Sequence, residues 1–138
     1  MSSQSVSQPS SSVLQRRAAG ILLHPTSLPG PFGVGDVGPV AHRFVDWLHD
    51  AKLTAWQMLP LVPAGPGGSP YSSPSALASN TLLISVEQLV QDGWLRRDEV
   101  DFQPTVVNID RVDFKEAEAI KRPLLEKAAQ RYVEKHRA

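Results

Sequence analysis

Residues 20–36 read GILLHPTSLPGPFGVGD, and this stretch decides the fold. Its first five residues form a short apolar run that Pro25 ends, which is typical of a strand buried on both faces. The prolines and glycines that follow exclude regular structure, so the strand opens into a loop. The loop ends where Asp36 or Gly38 can cap a helix. The first turn of that helix accommodates Pro39, because first-turn N–H groups lack helical partners in any case.

The residues after this loop predict a helix and a second strand. Apolar side chains recur at spacings of three and four and form one stripe: Val40, Phe44, Trp47, Leu48 and Ala51. A second apolar run, Ala55 to Leu59, is stopped by Pro60. Strand, loop, helix and strand in this order predict a β-α-β unit with parallel strands and a right-handed crossover.

The remaining elements are predicted to be shorter. They are a third extended stretch from Thr81 to Ser85, a brief helix from Val86 to Asp92 that Gly93 ends, an irregular segment from Asp98 to Asp113, and a last helix that starts near Lys121. The start near Lys121 follows because Pro123 suits a first helical turn and breaks a helix interior. Two or three parallel strands with helices predict an α/β fold that starts a barrel without closing it, since a (β/α)₈ barrel takes about 250 residues.

Composition narrows the possible functions of these 138 residues. The 14 Lys and Arg balance the 14 Asp and Glu, so the charge gives no reason to expect nucleic acid or an anionic membrane as a partner. Without cysteine there is no disulfide framework, thiolate nucleophile or cysteine zinc site. The longest apolar run has about six residues, which is too short for a transmembrane helix.

The amino terminus predicts a tail without a targeting signal. Residues 1–12 contain seven serines and no charged residue, a composition that cannot bury enough surface to order itself. The basic start, apolar stretch and cleavage site of a secretory signal do not appear in order. We therefore expect a disordered serine-rich tail at residues 1–17, a folded part at 18–138 and a cytoplasmic location.

Residues 53–86 carry no Asp, Glu, Lys or Arg over 34 consecutive positions. The centre of this charge-free loop, residues 63–74, reads PAGPGGSPYSSP. A surface loop beside a buried strand is one interpretation. The other is a surface for a neutral polyhydroxylated ligand, because hydroxyls and amides bond to sugar hydroxyls while an aromatic face covers the C–H face of a pyranose.

The sequence lacks the motifs of phosphate binding, dinucleotide binding and nucleophilic serine catalysis. The phosphate-binding P-loop needs a Gly-Lys-Ser/Thr ending, yet no lysine lies between Lys52 and Lys115, and the dinucleotide Gly-x-Gly-x-x-Gly pattern is absent. His42 and His49 share the solvated face of the first helix, and His24 suits a structural hydrogen bond better than a metal. No Gly-x-Ser-x-Gly elbow presents a nucleophilic serine. We expect no cofactor and no metal.

Several motifs nevertheless resemble one enzyme family. They are residues 20–36, WQMLPL at 56–61, GSPYS at 68–72, Ser79-Asn80, VDF at 112–114, and Lys121 with Leu124-Leu125. In order and content they are similar to the amino-terminal part of the 4-α-glucanotransferases, the amylomaltase or disproportionating-enzyme family. The similarity runs from about Arg17 to about Tyr132.

This resemblance implies a (β/α)₈ barrel with inserted subdomains, of which this chain holds the first βα units. It also implies transfer of α-1,4-glucan segments to the 4-hydroxyl of glucose or another glucan, with maltodextrins and maltose as donors. The chemistry would be retaining, through a covalent glycosyl-enzyme. The family's catalytic carboxylates lie beyond residue 138. No catalytic role is therefore assigned to any acidic residue here.

Three residues carry over as substrate-binding candidates. Tyr71 matches a tyrosine that lines the donor site, Ser69 matches a serine that hydrogen-bonds substrate, and Asn80 either binds sugar or fixes the loop backbone. Pro66 is a departure, because many relatives place a tyrosine in a Gly-Tyr-Gly-Asp sequence there, which puts a secondary glucan contact in doubt. Two alternatives stay open, a non-catalytic glucan-binding remnant and a module that binds a protein partner.

Overall fold

The structure is a computed structural model that describes residues 17–102 and 111–137. Its strands and helices are β1 (Gly20–Leu22), α1 (Pro39–Asp50), β2 (Ala55–Gln57), α2 (Val86–Gln91) and α3 (Phe114–His136). Short 3₁₀ turns connect them, at Pro25–Ser27, Pro66–Gly68, Pro70–Ser72, Thr81–Leu83 and Arg97–Glu99. Residues 1–16 of the predicted serine-rich tail, and much of the segment predicted to be irregular, lie outside the described residues.

The predicted β-α-β unit is confirmed. β1 and β2 pair in parallel, with Gly20 opposite Ala55 and Leu22 opposite Gln57. The indole Nε1 of Trp56 donates to the Leu23 carbonyl at 2.7 Å, which extends the pairing beyond the ladder. Gly20 is required at its position because a Cβ there would lie 2.8 Å from the Cβ of Ala55.

The predicted burial of β1 on both faces is wrong for the described part of the chain. Leu22 is 57% exposed, and Gly20 is exposed as well. The reason is that the described sheet has only two strands, so one edge of β1 and much of its surface have no neighbour. Apolar composition predicted the strand correctly, whereas burial depends on what packs against it.

Helix α1 begins as the sequence predicts. Gly38 is its N-cap and Pro39 its first residue, while Asp36 is not the cap. The predicted apolar stripe is only partly covered, since Leu48 is buried and Trp47 is 51% exposed. Phe44 packs edge-on against Trp56 at 4.9 Å between ring centroids, which joins α1 to β2.

The predicted third extended stretch is wrong, and the brief helix after it is confirmed. Thr81–Leu83 forms a 3₁₀ turn because the side-chain oxygen of Asn80 accepts a hydrogen bond from the Leu82 amide. The Ser85 hydroxyl caps α2 by accepting from the Gln88 amide at 3.3 Å. Gly93 follows that helix with a φ of 78°, as a residue after a helix end often does.

Helix α3 starts at Phe114 and not near Lys121. The Asp113 carboxylate accepts from the amides of Lys115 and Glu116 at 3.0 and 3.1 Å, which satisfies two of the unpaired donors of the first turn. Pro123 therefore lies inside the helix, at an exposed position. The N-cap at Asp113 and the packing of α3 outweigh the local cost of the proline.

The hydrophobic core of the described residues contains no side chain from β1, β2 or α1. Its buried members are Phe32, Val86, Leu95, Val100 and Ala128, which come from the loop after β1, from α2, from the segment after α2 and from α3. Among the described residues no helix is long and apolar enough to cross a membrane.

Candidate functional site

The centre of the charge-free loop folds into two consecutive 3₁₀ turns, Pro66–Gly68 and Pro70–Ser72. The Gly65 amide donates to the Ser69 carbonyl at 2.9 Å and closes the first turn. A Cβ on Gly65 would collide with the Ser72 carbonyl oxygen, so the two turns pack directly on each other. The loop is thus well defined by its own backbone, although it carries no charge.

Gly68 connects this loop to α3. Its φ of 77° favours glycine, and a Cβ there would lie 2.8 Å from the Cε2 atom of Phe114. Gly67 has a similar φ of 75° but open space around it. The loop therefore depends on glycine at position 68 both for its backbone and for its approach to α3.

Ser69 and Tyr71, two of the substrate-binding candidates, lie on the second turn. The Ser69 hydroxyl oxygen accepts from the Tyr71 amide at 3.3 Å, and the Ser72 hydroxyl donates to the Ser69 carbonyl at 3.3 Å. The hydroxyl hydrogen of Ser69 is left to donate elsewhere. The Tyr71 side chain is 73% exposed, so its ring can meet a ligand without any rearrangement of the core.

Asn80, the third candidate, is buried and holds the backbone. The side-chain Oδ1 of Asn80 accepts from the backbone amide of Leu82 at 3.0 Å. The backbone amide of Asn80 donates to the Leu61 carbonyl at 3.1 Å. These bonds fit the sequence interpretation in which Asn80 fixes the loop. Its Nδ2 makes no hydrogen bond within residues 17–102 and 111–137, and this group is available to a sugar hydroxyl.

A cavity of about 800 Å³ lies between the loop, the Thr81–Leu83 turn and the start of α3. Asn80 lines this cavity, whereas Ser69 and Tyr71 do not. The structure thus separates the three candidates into a pair on the second turn, the half-buried Ser69 and the exposed Tyr71, and a buried cavity residue, Asn80. One wall is neutral, from Pro63 to Gly68, and the opposite wall carries charged residues between Arg111 and Glu118.

Sequence reasoning missed a buried ion pair behind this cavity. The Lys121 ammonium donates to the Asp36 carboxylate at 2.9 Å and to the Leu82 carbonyl at 2.7 Å, and Lys121 is completely buried. Burial lowers the pKa of Lys121, and the negative charge of Asp36 opposes that shift. The position of Lys121 in the sequence could have indicated its burial, because it lies on α3 between the buried positions Ala117 and Ala128.

A second ion-pair cluster, missed as well, joins the Arg97–Glu99 turn to α3. Arg131 donates to both carboxylate oxygens of Glu99 at 2.6 Å, and Lys127 lies 2.8 Å from the same carboxylate. The Arg96 amide donates to it at 2.9 Å. The hydrogen bonds from Arg131, then from Lys127, hold the pKa of Glu99 far below its ordinary value.

The histidines behave as the sequence suggests. His24 Nδ1 lies 2.7 Å from the Thr26 hydroxyl and accepts from the Thr26 amide, so His24 supports the loop after β1. His42 and His49 are exposed on α1. Within the part of the chain that the structure describes, no group of three or more His, Cys, Asp or Glu is arranged to hold a metal ion.

Comparison with known proteins gives one consistent result. The model of a family described as 4-alpha-glucanotransferase matches residues 23–138. The chloroplastic or amyloplastic 4-alpha-glucanotransferase of Solanum tuberosum is 53% identical over 122 residues, which cover 86% of this chain and 21% of the relative. The chloroplastic or amyloplastic 4-alpha-glucanotransferase DPE1 of Arabidopsis thaliana is 50% identical over 119 residues, which cover 86% of this chain and 20% of the relative.

A solved structure agrees with these relatives. An amylomaltase from Streptococcus agalactiae, in complex with acarbose, superposes with a TM-score of 0.81 at 39% sequence identity. The match covers 89% of this chain and 25% of that chain. This chain therefore spans about a fifth of the length of the curated relatives it matches and a quarter of the solved one.

Proposed function

This chain belongs to the 4-alpha-glucanotransferase family, and on that premise we propose that it forms the amino-terminal part of an enzyme that acts on α-1,4-glucans. The enzyme transfers a glucan segment to the 4-hydroxyl of glucose or of another glucan. Maltodextrins and maltose are its donors. The observation that carries the proposal is the well-defined, charge-free loop with an exposed Tyr71, which lies inside the segment that the family model matches.

Within this function the chain supplies substrate contacts. The exposed ring of Tyr71 suits stacking on a pyranose, and the Ser69 hydroxyl and the Asn80 amide suit hydrogen bonds to sugar hydroxyls. A neutral loop fits a neutral substrate, since a glucan has no charge for Asp, Glu, Lys or Arg to pair with. None of the acidic residues here is proposed as nucleophile or acid/base, the two carboxyl roles that retaining transfer needs.

The β-α-β unit is proposed to be the beginning of a (β/α)₈ barrel with an inserted subdomain. Parallel pairing of β1 and β2 around α1 supports this, because such barrels repeat that unit. The substrate loop follows β2, at the carboxyl end of the strands. That is the end at which barrel enzymes bind their substrates.

A chimeric enzyme tests this proposal. Residues 17–138 of this chain replace the matching part of the Solanum tuberosum relative, with which they share 53% identity. We expect this chimera to disproportionate maltotriose into glucose and longer maltodextrins, because the chain brings a complete substrate loop. The isolated 138-residue chain, assayed in parallel, is expected to release no glucose.

The parent relative and the folding state of the chimera serve as controls. Circular dichroism and gel filtration establish that the chimera is folded. A folded chimera that binds maltodextrin but does not transfer it would favour the non-catalytic glucan-binding alternative. A folded chimera that neither binds nor transfers glucan would refute the proposed function.

The proposed compartment remains the cytoplasm, and it is a separate question from the activity. The names of the Arabidopsis and potato relatives place those proteins in chloroplasts or amyloplasts. Expression of the full gene with a fluorescent carboxyl-terminal fusion would test the location. Signal confined to plastids would refute the cytoplasmic proposal.

A further inference from the structure

Lys121 is a cation removed from water in the middle of α3. Its side chain is completely buried, and a buried ammonium is costly unless it is paired and hydrogen-bonded. Both conditions are met by the Asp36 carboxylate at 2.9 Å and the Leu82 carbonyl at 2.7 Å. The two acceptors lie in different loops, 85 and 39 residues away from Lys121 along the chain.

These bonds fix Leu82 from two sides. The Leu82 amide donates to the Asn80 side chain at 3.0 Å, while the Leu82 carbonyl accepts from Lys121. The peptide groups before and after Leu82 are therefore both held. The Leu82 amide donates its hydrogen bond to Oδ1 of Asn80. The orientation of the Asn80 side chain therefore depends on where Lys121 holds Leu82.

The same region joins the loop after β1 to the Thr81–Leu83 turn. The Val37 amide donates to the Leu83 carbonyl at 3.0 Å, next to the Asp36 contact with Lys121. A Cβ on Gly38 would lie 2.7 Å from a side-chain oxygen of Asp36, so the backbone approaches that carboxylate closely. Lys121 thus lies where the β1–α1 loop, the turn and α3 meet.

We propose that Lys121 is a positioning residue for glucan binding, which acts through the Leu82 carbonyl to orient the Asn80 amide toward the cavity. This inference rests on the proposed function. Asn80 lines the cavity, and its Nδ2 has no hydrogen-bond acceptor within residues 17–102 and 111–137. The ligand that this group recognises is a neutral sugar hydroxyl. Asp36 neutralises the buried ammonium, and the bond to Leu82 does the positioning.

Variants of the chimera separate positioning from simple stabilisation. Lys121→Met leaves the largely covered Asp36 carboxylate without its cation, so both the melting temperature and the affinity should fall. Asp36→Asn/Lys121→Met removes both charges, and its melting temperature should return toward that of the unmodified chimera. The Leu82 carbonyl still lacks its donor, so KM for maltotriose should stay raised by about 3- to 30-fold with a smaller change in kcat.

Asp36→Asn alone is the matched control. It leaves the donor of the Leu82 bond in place but removes the counter-charge of the buried ammonium, so the melting temperature should fall while KM stays within about twofold of the unmodified chimera. Asn80→Ala should raise KM as the double variant does. Adding Asn80→Ala to the double variant should raise KM little further, because both changes remove the contact between the Asn80 amide and the sugar. Where the Met double variant does not fold, Asp36→Asn/Lys121→Leu takes its place, since leucine also brings no donor to the Leu82 carbonyl.

The outcomes distinguish this inference from the proposed function. An unmodified chimera without transfer activity refutes the function. An active chimera whose double variant has an unchanged KM refutes the positioning role and leaves the function intact. A KM that rises as much in Asp36→Asn as in the double variant also refutes it, because the Leu82 bond is then not the cause.

Discussion

The Tyr71 ring lies in solvent, although burying an aromatic ring normally stabilises a fold. The backbone beneath it is held by the Ser69 hydroxyl, and no other aromatic ring stacks on it within residues 17–102 and 111–137. A fixed backbone under an uncovered ring is the arrangement that a sugar contact needs. The sugar contact of Tyr71 stays a prediction, which the exposed ring supports.

Removal of the Tyr71 ring should therefore affect catalysis more than stability. In the chimera, Tyr71→Ala should lower kcat/KM for maltotriose about 5- to 150-fold, which corresponds to about 1–3 kcal/mol of transition-state binding. Tyr71→Phe should be milder because it keeps the ring face. Kinetics and melting curves of both variants check this. A normal kcat/KM with a depressed melting temperature in Tyr71→Ala would show that the ring only supports the loop.

The two other candidate residues show the limit of inference from a motif. Ser69 and Asn80 were matched to substrate contacts, and each uses its side-chain oxygen to accept a backbone amide two residues further on. Ser and Asn often do this in turns. The sequence could not decide between the two uses, because a turn residue and a sugar ligand have the same donors and acceptors. The substrate role of both residues stays a prediction.

Among the secondary-structure elements, helix ends were predicted correctly where a proline or glycine within a few residues marks them. Pro39 after Gly38 predicted the start of α1, and Gly93 predicted the end of α2. The predicted start of α3 near Lys121 is wrong, because the helix is capped by Asp113, whose spacing to Glu116 is an N-terminal signature, and Pro123 lies inside it. The Lys121 and Glu99 ion pairs could not be predicted, since they join residues distant in sequence.

Pro123 should weaken the α3 helix that contains it. The proline has no N–H, so it cannot bond to the carbonyl of Ala119, one turn earlier. In the chimera, Pro123→Ala should stabilise α3 by about 1–3 kcal/mol, measured by amide hydrogen exchange over residues 114–136. Pro39→Ala in α1 is the control and should instead lower stability by about 0.4–1 kcal/mol, because a first-turn proline loses no hydrogen bond. Equal effects of the two changes would contradict this account.

The Glu99 cluster should make stability depend on acidity. Its hydrogen bonds with Arg131 and Lys127 hold the pKa of Glu99 below the ordinary 4.5. The stabilisation is therefore complete above that value and is lost as the pH falls below it, because the unfolded state then binds the proton first. Glu99→Gln should lower the melting temperature of the chimera at pH 7, and this difference should shrink between about pH 5 and 3.

Glu118 provides the comparison for this pH experiment. It is exposed on α3 and lies 3.7 Å from Arg122, a surface pair of the kind that contributes little. Glu118→Gln should change the melting temperature only slightly at any of these pH values. A Glu99→Gln difference that stays constant down to pH 3 would show that the lost packing, and not the charge, matters.

For the molecule as a whole, the sequence predicted which residues form β1 and β2 but not how far they are covered. The described sheet has two strands, and apolar side chains near it are exposed, such as Leu22, Trp47 and Met58. The core instead gathers where the loop after β1, α2 and α3 meet. Burial of the strands therefore depends on neighbours other than the residues that the structure describes.

The isolated 138-residue chain should accordingly be marginally stable and self-associate. Open strand edges and exposed apolar side chains favour pairing between copies, and a two-stranded sheet contributes little stability by itself. We expect sedimentation velocity to show oligomers that increase with protein concentration. Leu22→Ser/Met58→Ser should reduce them, because Leu22 is the last residue of β1 and Met58 directly follows β2, and both side chains are exposed. Val133→Ser on α3, which removes a side chain that is 42% exposed, should reduce them less. A monomeric chain with a cooperative melting transition well above about 50 °C would contradict the argument, since that is the behaviour of a complete domain.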